Sequence, residues 1–404
     1  MYQPSDRTLQ KYAQVLVRYA LNSGAGVKKG EVVRVTASES AKPLYFALFK
    51  ELLSSGAQMI ADFRPDDVAP YNFSRTFFEQ ADDHQIDYFP RKYLKGIAEE
   101  IDHNIMILSE ADKQALKGTE PGKIMRRGEV MRPLSDWLRK KENQGRFTWT
   151  LALYPTPAMA EEAGLSLKEY WREVIRACYL DKKDPVAEWK KVGSSIEEMR
   201  EKLSNMPIEW LHIEGQDVDL WIKLGEQRRW MGGSGRNIPS FEVFTSPDWR
   251  GTEGWIRFNQ PLYRYGNLIK GIELEFENGK VVSSRASQNQ ELLRKMINTP
   301  GADKVGEFSL TDKRLSRIKK FMAETLFDEN VGGSQGNTHI ALGKSYSDAY
   351  TGDPAKMKKS DWQKLGFNDS SVHTDIMSTT RRRVTATMSD GREEVIYENG
   401  KFTV

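Results

Sequence analysis

The chain holds five histidines, and two of them stand beside further donors in short apolar stretches. In "VHTDIM", His373 lies two residues from Asp375, and in a strand residues i and i+2 project from one face. That pair can ligate a divalent ion, or it can hydrogen-bond to itself on a solvated face. In "GNTHIALGKSY", His339 opens an apolar run and Tyr346 follows it. A metal ligand and a histidine bonded at a strand edge both fit there. "IPSFEVFTSPDW" sets Glu242 between Phe241 and Val243, where a carboxylate needs a cation, an arginine or an exposed edge to offset its desolvation. "DKVGEFSLTD" places Glu307 after Gly306 at the start of another short strand. The same argument holds there more weakly, with plain exposure as the alternative.

Taken together, Glu242, Glu307, His339, His373 and Asp375 are three carboxylates and two imidazoles, all in the second half of the chain. Mixed oxygen and nitrogen donors suit a pair of divalent ions such as zinc, cobalt, manganese or magnesium. Two such ions about 3.5–4 Å apart activate a shared water and polarise a carbonyl, which is hydrolytic chemistry. The other histidines read as structural. His84 belongs to an acidic, solvated helix face, His103 bridges helix and strand, and His212 alternates with Trp210 and Glu214.

These side chains need a scaffold, and 404 residues are long for one core. Helix and strand alternate through the first half. "DRTLQKYAQVLVRYALNSG" reads as an amphipathic helix with Asp6 as its cap and Gly24 near its end, and "EVVRVTA" as a strand. "SAKPLYFALFKELLSSG" is a second helix and "AQMIADF" a second strand, which makes a β-α-β unit and predicts a parallel sheet. "ADDHQIDYFPRKYLKGIAEEI" reads as helical, "HNIMILSEA" as a strand, "PLSDWLRKKENQG" as a helix and "RFTWTLALYPTP" as a strand. Two further helices meet at Pro185.

After Pro207 strands dominate, and Asn278-Gly279, Asp390-Gly391 and Asn399-Gly400 signal hairpins. The expected organisation is an α/β domain with a parallel sheet over 1–195 and a strand-rich α+β metal-binding catalytic domain over 196–404. "SESAKP" replaces any glycine-rich phosphate loop in the first β-α-β unit, so a nucleotide site is unsupported there. "GGSGRNIP" reads as a loop, and Arg381 to Arg383 as a solvent-facing run that could alternatively line an entrance for carboxylate groups.

Composition bounds the partners. Apolar residues make up 39% and charged residues 29%, ordinary values for a globular protein. The formal charge of +3, from 60 basic and 57 acidic residues, is too small to imply nucleic acid or an anionic membrane. The single Cys178 cannot make an internal disulfide and reads as buried packing. The N-terminus lacks the pattern of a signal peptide, and no stretch reaches the roughly 18–20 apolar residues of a membrane span. A cytoplasmic location is expected.

At this point a resemblance becomes specific. "NIPSFEVFTSP", "VGEFSL", "THIALGKSY" and "VHTDIM" occur in the order and approximate spacing of the thermophilic metallo-aminopeptidases, the aminopeptidase T, aminopeptidase S and leucyl aminopeptidase group. "LHIEGQDVDLWIKLG" and "RRWMGG" also resemble the strands preceding the first ligand there. The resemblance implies that Glu242, Glu307, His339, His373 and Asp375 are metal ligands and that Tyr346 is the active-site tyrosine. It implies a cocatalytic metal pair, a homodimer, and removal of N-terminal residues from peptide substrates, with the free α-amino group bound at the site. Glu307 is the first choice for accepting or relaying the proton, and Tyr346 for donating a hydrogen bond to the oxyanion. The glycine-rich "DENVGGSQGN" before His339 and the bulky Phe241 depart from the pattern and bear on substrate preference. Two competing readings are a non-catalytic peptide-binding relative and a dinuclear hydrolase of other amides or phosphoesters.

Overall fold

The computed structural model describes residues 2–404. Backbone contacts divide it into two compact units. One comprises the chain up to Gly193 with Gly233–Ser240 and Phe321–Leu326. The other comprises Ser194–Gly232, Phe241–Lys320 and Phe327–Val404.

The first unit is built on a parallel sheet. Its strands are β1 (Val32–Ser38), β2 (Gln58–Arg64), β3 (His103–Leu108) and β4 (Thr148–Leu153). They run in the order β2-β1-β3-β4, closed by a two-residue strand, Asn237–Ile238. That last strand lies inside the stretch read as a loop. Two residues have no periodicity of their own, and pairing with Leu151 and Ala152 is what makes them a strand. Val33, Val35, Ile105, Ile107 and Ala152 are buried side by side on one face of the sheet.

The local expectations are corrected at three helical stretches. The first runs Asp6–Arg18, and Ser5 is its cap, its hydroxyl accepting from the Thr8 N–H; Gly24 lies in a separate short turn, Asn22–Gly24. The stretch from Ala81 to Ile101 is two helices, Asp83–Asp87 and Arg91–Glu100, because Pro90 has no N–H to continue the ladder. The helix read from Pro133 instead begins at Pro121 and continues through Pro133 to Asn143. Cys178 caps the end of the helix Leu167–Ala177, is buried and forms no disulfide.

The end of Arg91–Glu100 supplies a first quantitative test. A helix leaves its last carbonyls without intrahelical donors. Buried Lys141 donates its ammonium to the carbonyls of Glu99 at 2.9 Å and Ile101 at 2.6 Å, with Ala98 at 3.4 Å. Lys141→Met removes the donor while keeping the stem, and should cost about 2 kcal/mol through buried carbonyls left unbonded. Urea unfolding reads the loss directly.

The second unit holds a large antiparallel sheet and a small one. The large sheet runs Lys280–Arg285, Glu273–Glu277, Glu253–Arg257, Val218–Lys223, Ile208–Gly215, Arg382–Met388, Glu393–Glu398 and Lys401–Phe402. All three hairpin signals hold: Asn278 and Gly279 have φ of 51° and 77°, Asn399 and Gly400 of 52° and 75°, and Gly391 of 85°. His212 bonds Asp219 at 2.8 Å and stacks on Trp221, so its role is structural. Arg382, expected to face solvent, is buried. It donates to the Arg257 carbonyl at 3.0 Å and pairs with Asp217 at 3.4 Å, partners the local alternation could not reveal.

The small sheet consists of β5 (Glu242–Thr245), β6 (Val305–Thr311), β7 (Asn337–Gly343) and β8 (His373–Ser378), in the order β8-β7-β6-β5. Every neighbouring pair is antiparallel. A separate hairpin, Leu262–Arg264 with Asn267–Ile269, turns at Tyr265-Gly266.

Candidate metal centre

In an antiparallel ladder, residues directly opposite one another share a face. Across the small sheet Glu242 opposes Thr311, and Ser309 opposes His339. Ala341 lies between Glu307 and Asp375, and Gly343 opposes His373. All five donors therefore rise from one face of four adjacent strands. Among their neighbours there Ser309, Thr311, Ala341 and Gly343 are small, which leaves the long donor side chains room to converge beside the bulkier Phe244, Asn337 and Met377. The opposite face is buried and largely apolar, with Val243, Phe308, Leu310, Ile340 and Ile376 beside a few threonines.

A bulge aims the central donor. The register between β6 and β7 slips between Val305 and Glu307, so Gly306 is the extra residue. A Cβ on Gly306 would lie 2.4 Å from the Gly343 carbonyl oxygen and 2.5 Å from that of Lys344. Glycine is thus required for this close approach, and the bulge settles which face Glu307 joins.

Two donor triplets result, Glu242–Glu307–His339 and Glu307–His373–Asp375, each with ligand atoms within 4.8 Å of one another. Glu307 belongs to both. Its Oε1 lies 3.0 Å from His339 Nε2 and its Oε2 lies 3.6 Å from His373 Nε2. His339 Nε2 is 3.3 Å from Glu242 Oε2, and His373 Nε2 is 3.2 Å from Asp375 Oδ1. His339 stands on an internal strand, so the strand-edge alternative falls, and Glu307 is buried rather than exposed.

Supporting contacts orient these groups. His373 Nδ1 donates to the Lys344 carbonyl at 2.8 Å, which fixes Nε2 as the nitrogen facing the carboxylates. The Ser309 hydroxyl donates to Glu242 Oε2 at 3.1 Å. Tyr346 packs its ring on His373, centroids 4.9 Å apart, and on Phe244 at 5.6 Å. Its backbone N–H donates to the buried Ser246 hydroxyl at 2.8 Å. Ser309 and Ser246 were not singled out in the sequence. Ser309 could have been found, since it lies two residues from Glu307 on one strand face; Ser246 could not, since only folding brings it to Tyr346.

The electrostatics favour a cation. Burial pushes Glu242 up to about 7; the nearby His339 pulls it down, and the Glu307 and Asp375 charges add to the rise. Burial opposes charge on His339, yet the Glu307 hydrogen bond and the Glu242 charge raise it to about 9. His373 is likewise raised to about 9 against burial by Asp375. Burial works to raise Asp375, but His373 first, then His339 and Arg264, hold it well below the usual carboxylate range. The cluster thus draws positive charge onto its own imidazoles. His339 Nδ1 is also buried without a partner among the described residues. Mixed oxygen and nitrogen donors carrying surplus negative charge fit divalent ions, which take the place of those protons.

Comparison with known proteins gives the class and then the family. The model of the thermophilic metalloproteases (M29) matches residues 5–402. The chain is thus a metalloprotease, a hydrolase that uses divalent metal. It belongs to the M29 family. Similar curated proteins include aminopeptidase T of Thermus thermophilus, 28% identical with 98% of this chain and 99% of the relative covered. Aminopeptidase 2 of Geobacillus stearothermophilus is 27% identical with 98% of each covered. The solved wild-type AmpT from Thermus thermophilus superposes with a TM-score of 0.84 at 26% identity, over 98% of this chain and 99% of that one.

Proposed function

We propose that this protein removes N-terminal residues from peptides at a dinuclear divalent centre held by Glu242, Glu307, His339, His373 and Asp375. It is a metallo-aminopeptidase. The observation that carries the dinuclear reading is that two donor triplets share a single carboxylate, with a different Glu307 oxygen turned to each histidine. A pair of ions there supplies Lewis acidity and a water activated at neutral pH. Zinc, cobalt, manganese and magnesium are the metals to test.

The chain's own residues supply the rest. Glu307 bridges the two halves of the site and is the first choice for relaying the proton. Tyr346, held against His373, presents its phenol as donor to the oxygen on which charge develops. The carboxylates attract the positively charged α-amino group of a peptide, which favours exo-cleavage. The proposed division of labour keeps the sequence boundaries: an α/β domain over 1–195 and the catalytic domain over 196–404. The active form is proposed to be a cytoplasmic homodimer. Among the described residues no helix is long and apolar enough to cross a membrane.

The test is a panel of aminoacyl-coumarin substrates with free and blocked amino groups. Metal-stripped protein is titrated with each ion. Cleavage of free substrates alone, restored by metal and lost in His373→Ala, is the expected result. Metal binding without peptidase activity would transfer the site to another amide hydrolase. An absence of metal binding would point to a peptide-binding relative.

A further inference from the structure

Beside the five donors stands a cation that the chemistry above does not use. Arg264 ends the first strand of the hairpin Leu262–Arg264/Asn267–Ile269. The approach to that hairpin is laced to β8: the Gln260 N–H reaches the Met377 carbonyl at 3.4 Å, and the Asn259 and Gln260 side chains both donate to Thr379. The hairpin then packs along β8, the strand that carries His373 and Asp375. Arg264 is half-buried, and its guanidinium lies against the Tyr265 ring, 5.3 Å from the centroid.

Its condition is unusual for an arginine in a folded chain. Arg264 Nε is buried and has no hydrogen-bond partner, and among the described residues Arg264 has no ion-pair partner. A buried donor without an acceptor is costly unless something else completes it. The Nε of other buried arginines here has an acceptor: Arg228 Nε donates to the Ser246 carbonyl and Arg382 Nε to the Thr380 hydroxyl, although Arg382 Nη1 is itself without one. The charge of Arg264 also reaches Asp375. Asp375 and His373 have the most exposed side chains of the five donors, at 15% and 22%, so Arg264 stands by the open side of the site.

We propose that Arg264 receives the C-terminal carboxylate of short peptide substrates, making the enzyme selective for di- and tripeptides with a free C-terminus. A guanidinium presents paired N–H donors in a planar fork that matches a carboxylate. Metal and carboxylates address the amino end of a peptide, and Arg264 addresses the other end. The oxyanion has its own donor in Tyr346, which leaves the C-terminal charge as the anion without a partner. This inference rests on the aminopeptidase reading for its substrate and on the Arg264 environment for its site.

The test compares leucyl-glycine and leucyl-diglycine with their C-terminal amides. In the wild type kcat/KM should favour the free acids. In Arg264→Ala that preference should collapse by about ten- to hundredfold, the range of a charge-assisted pair, and the loss should fall on KM. Arg264→Lys should recover part of it. A preference unchanged in Arg264→Ala, or an equal loss on acids and amides carried by kcat, overturns the proposal. Calorimetric titration of the metal-free protein with the same acid and amide separates the two readings. Tighter acid binding that Arg264→Ala abolishes supports the carboxylate site even if the protein turns over no peptide. Equal binding of acid and amide counts against it even if turnover is normal.

Discussion

Glu307→Gln should lower kcat/KM by about a thousandfold or more, and divalent stoichiometry should fall below two ions per chain. The substitution keeps the side chain's volume and one acceptor oxygen but removes the charge. If Glu307 bridges, each triplet loses its shared anionic ligand, and several kcal/mol of metal-derived stabilisation goes with it, which is a thousandfold or more in rate. Two roles meet on this residue, and the variant distinguishes them. A bridge commits both carboxylate oxygens, whereas a proton relay needs only one that is free. Retention of two ions with lost turnover would assign Glu307 to the proton; loss of both would assign it to the bridge. Full activity with two ions bound would sink both roles. The wild type carries an internal control. A ligand that binds only the native state raises stability by mass action, about 2.7 kcal/mol at a hundred times its Kd. Metal addition should therefore raise the wild-type Tm and do so less in Glu307→Gln.

Some of this could be read before the fold was known. β1 to β4 and the Asn-Gly and Asp-Gly hairpins declare themselves through signals confined to a few neighbouring residues. The five candidate donors stand out by residue type and motif. What the sequence hid was set by distant partners. Asn237–Ile238 is a strand because β4 pairs with it. Arg382 is buried because Asp217 and the Arg257 carbonyl come to meet it. The sharing of Glu307 follows from a one-residue slip at Gly306, and that slip is defined only once β6 and β7 are in register. Pro90 and Pro133 mark the limit of local rules. One proline separates two helices, while the other is carried inside a helix that continues past it.

Tyr346→Phe is the complementary case, a large kinetic loss with the metal site intact. The ring of Tyr346 is fixed on two sides by His373 and Phe244, and phenylalanine preserves both contacts. The segment after β7 is pinned through backbone groups: the Tyr346 N–H to Ser246, the Arg229 N–H to the Ala349 carbonyl at 2.9 Å, and the Arg229 guanidinium to the Asp348 carbonyl at 2.7 Å. The variant therefore deletes one hydroxyl from an otherwise held side chain. If that hydroxyl donates to the developing oxyanion, kcat should fall about 10²–10³-fold, the effect of one oxyanion donor. KM and the number of ions bound should stay close to wild type. Ser246→Ala loosens the backbone that carries the tyrosine while leaving its hydroxyl present, so its loss in kcat should be smaller. The order distinguishes chemistry from packing. Were Tyr346 only a wall for the His373 imidazole, Phe would serve as well as Tyr, and the Ser246 variant would be the more damaged of the two.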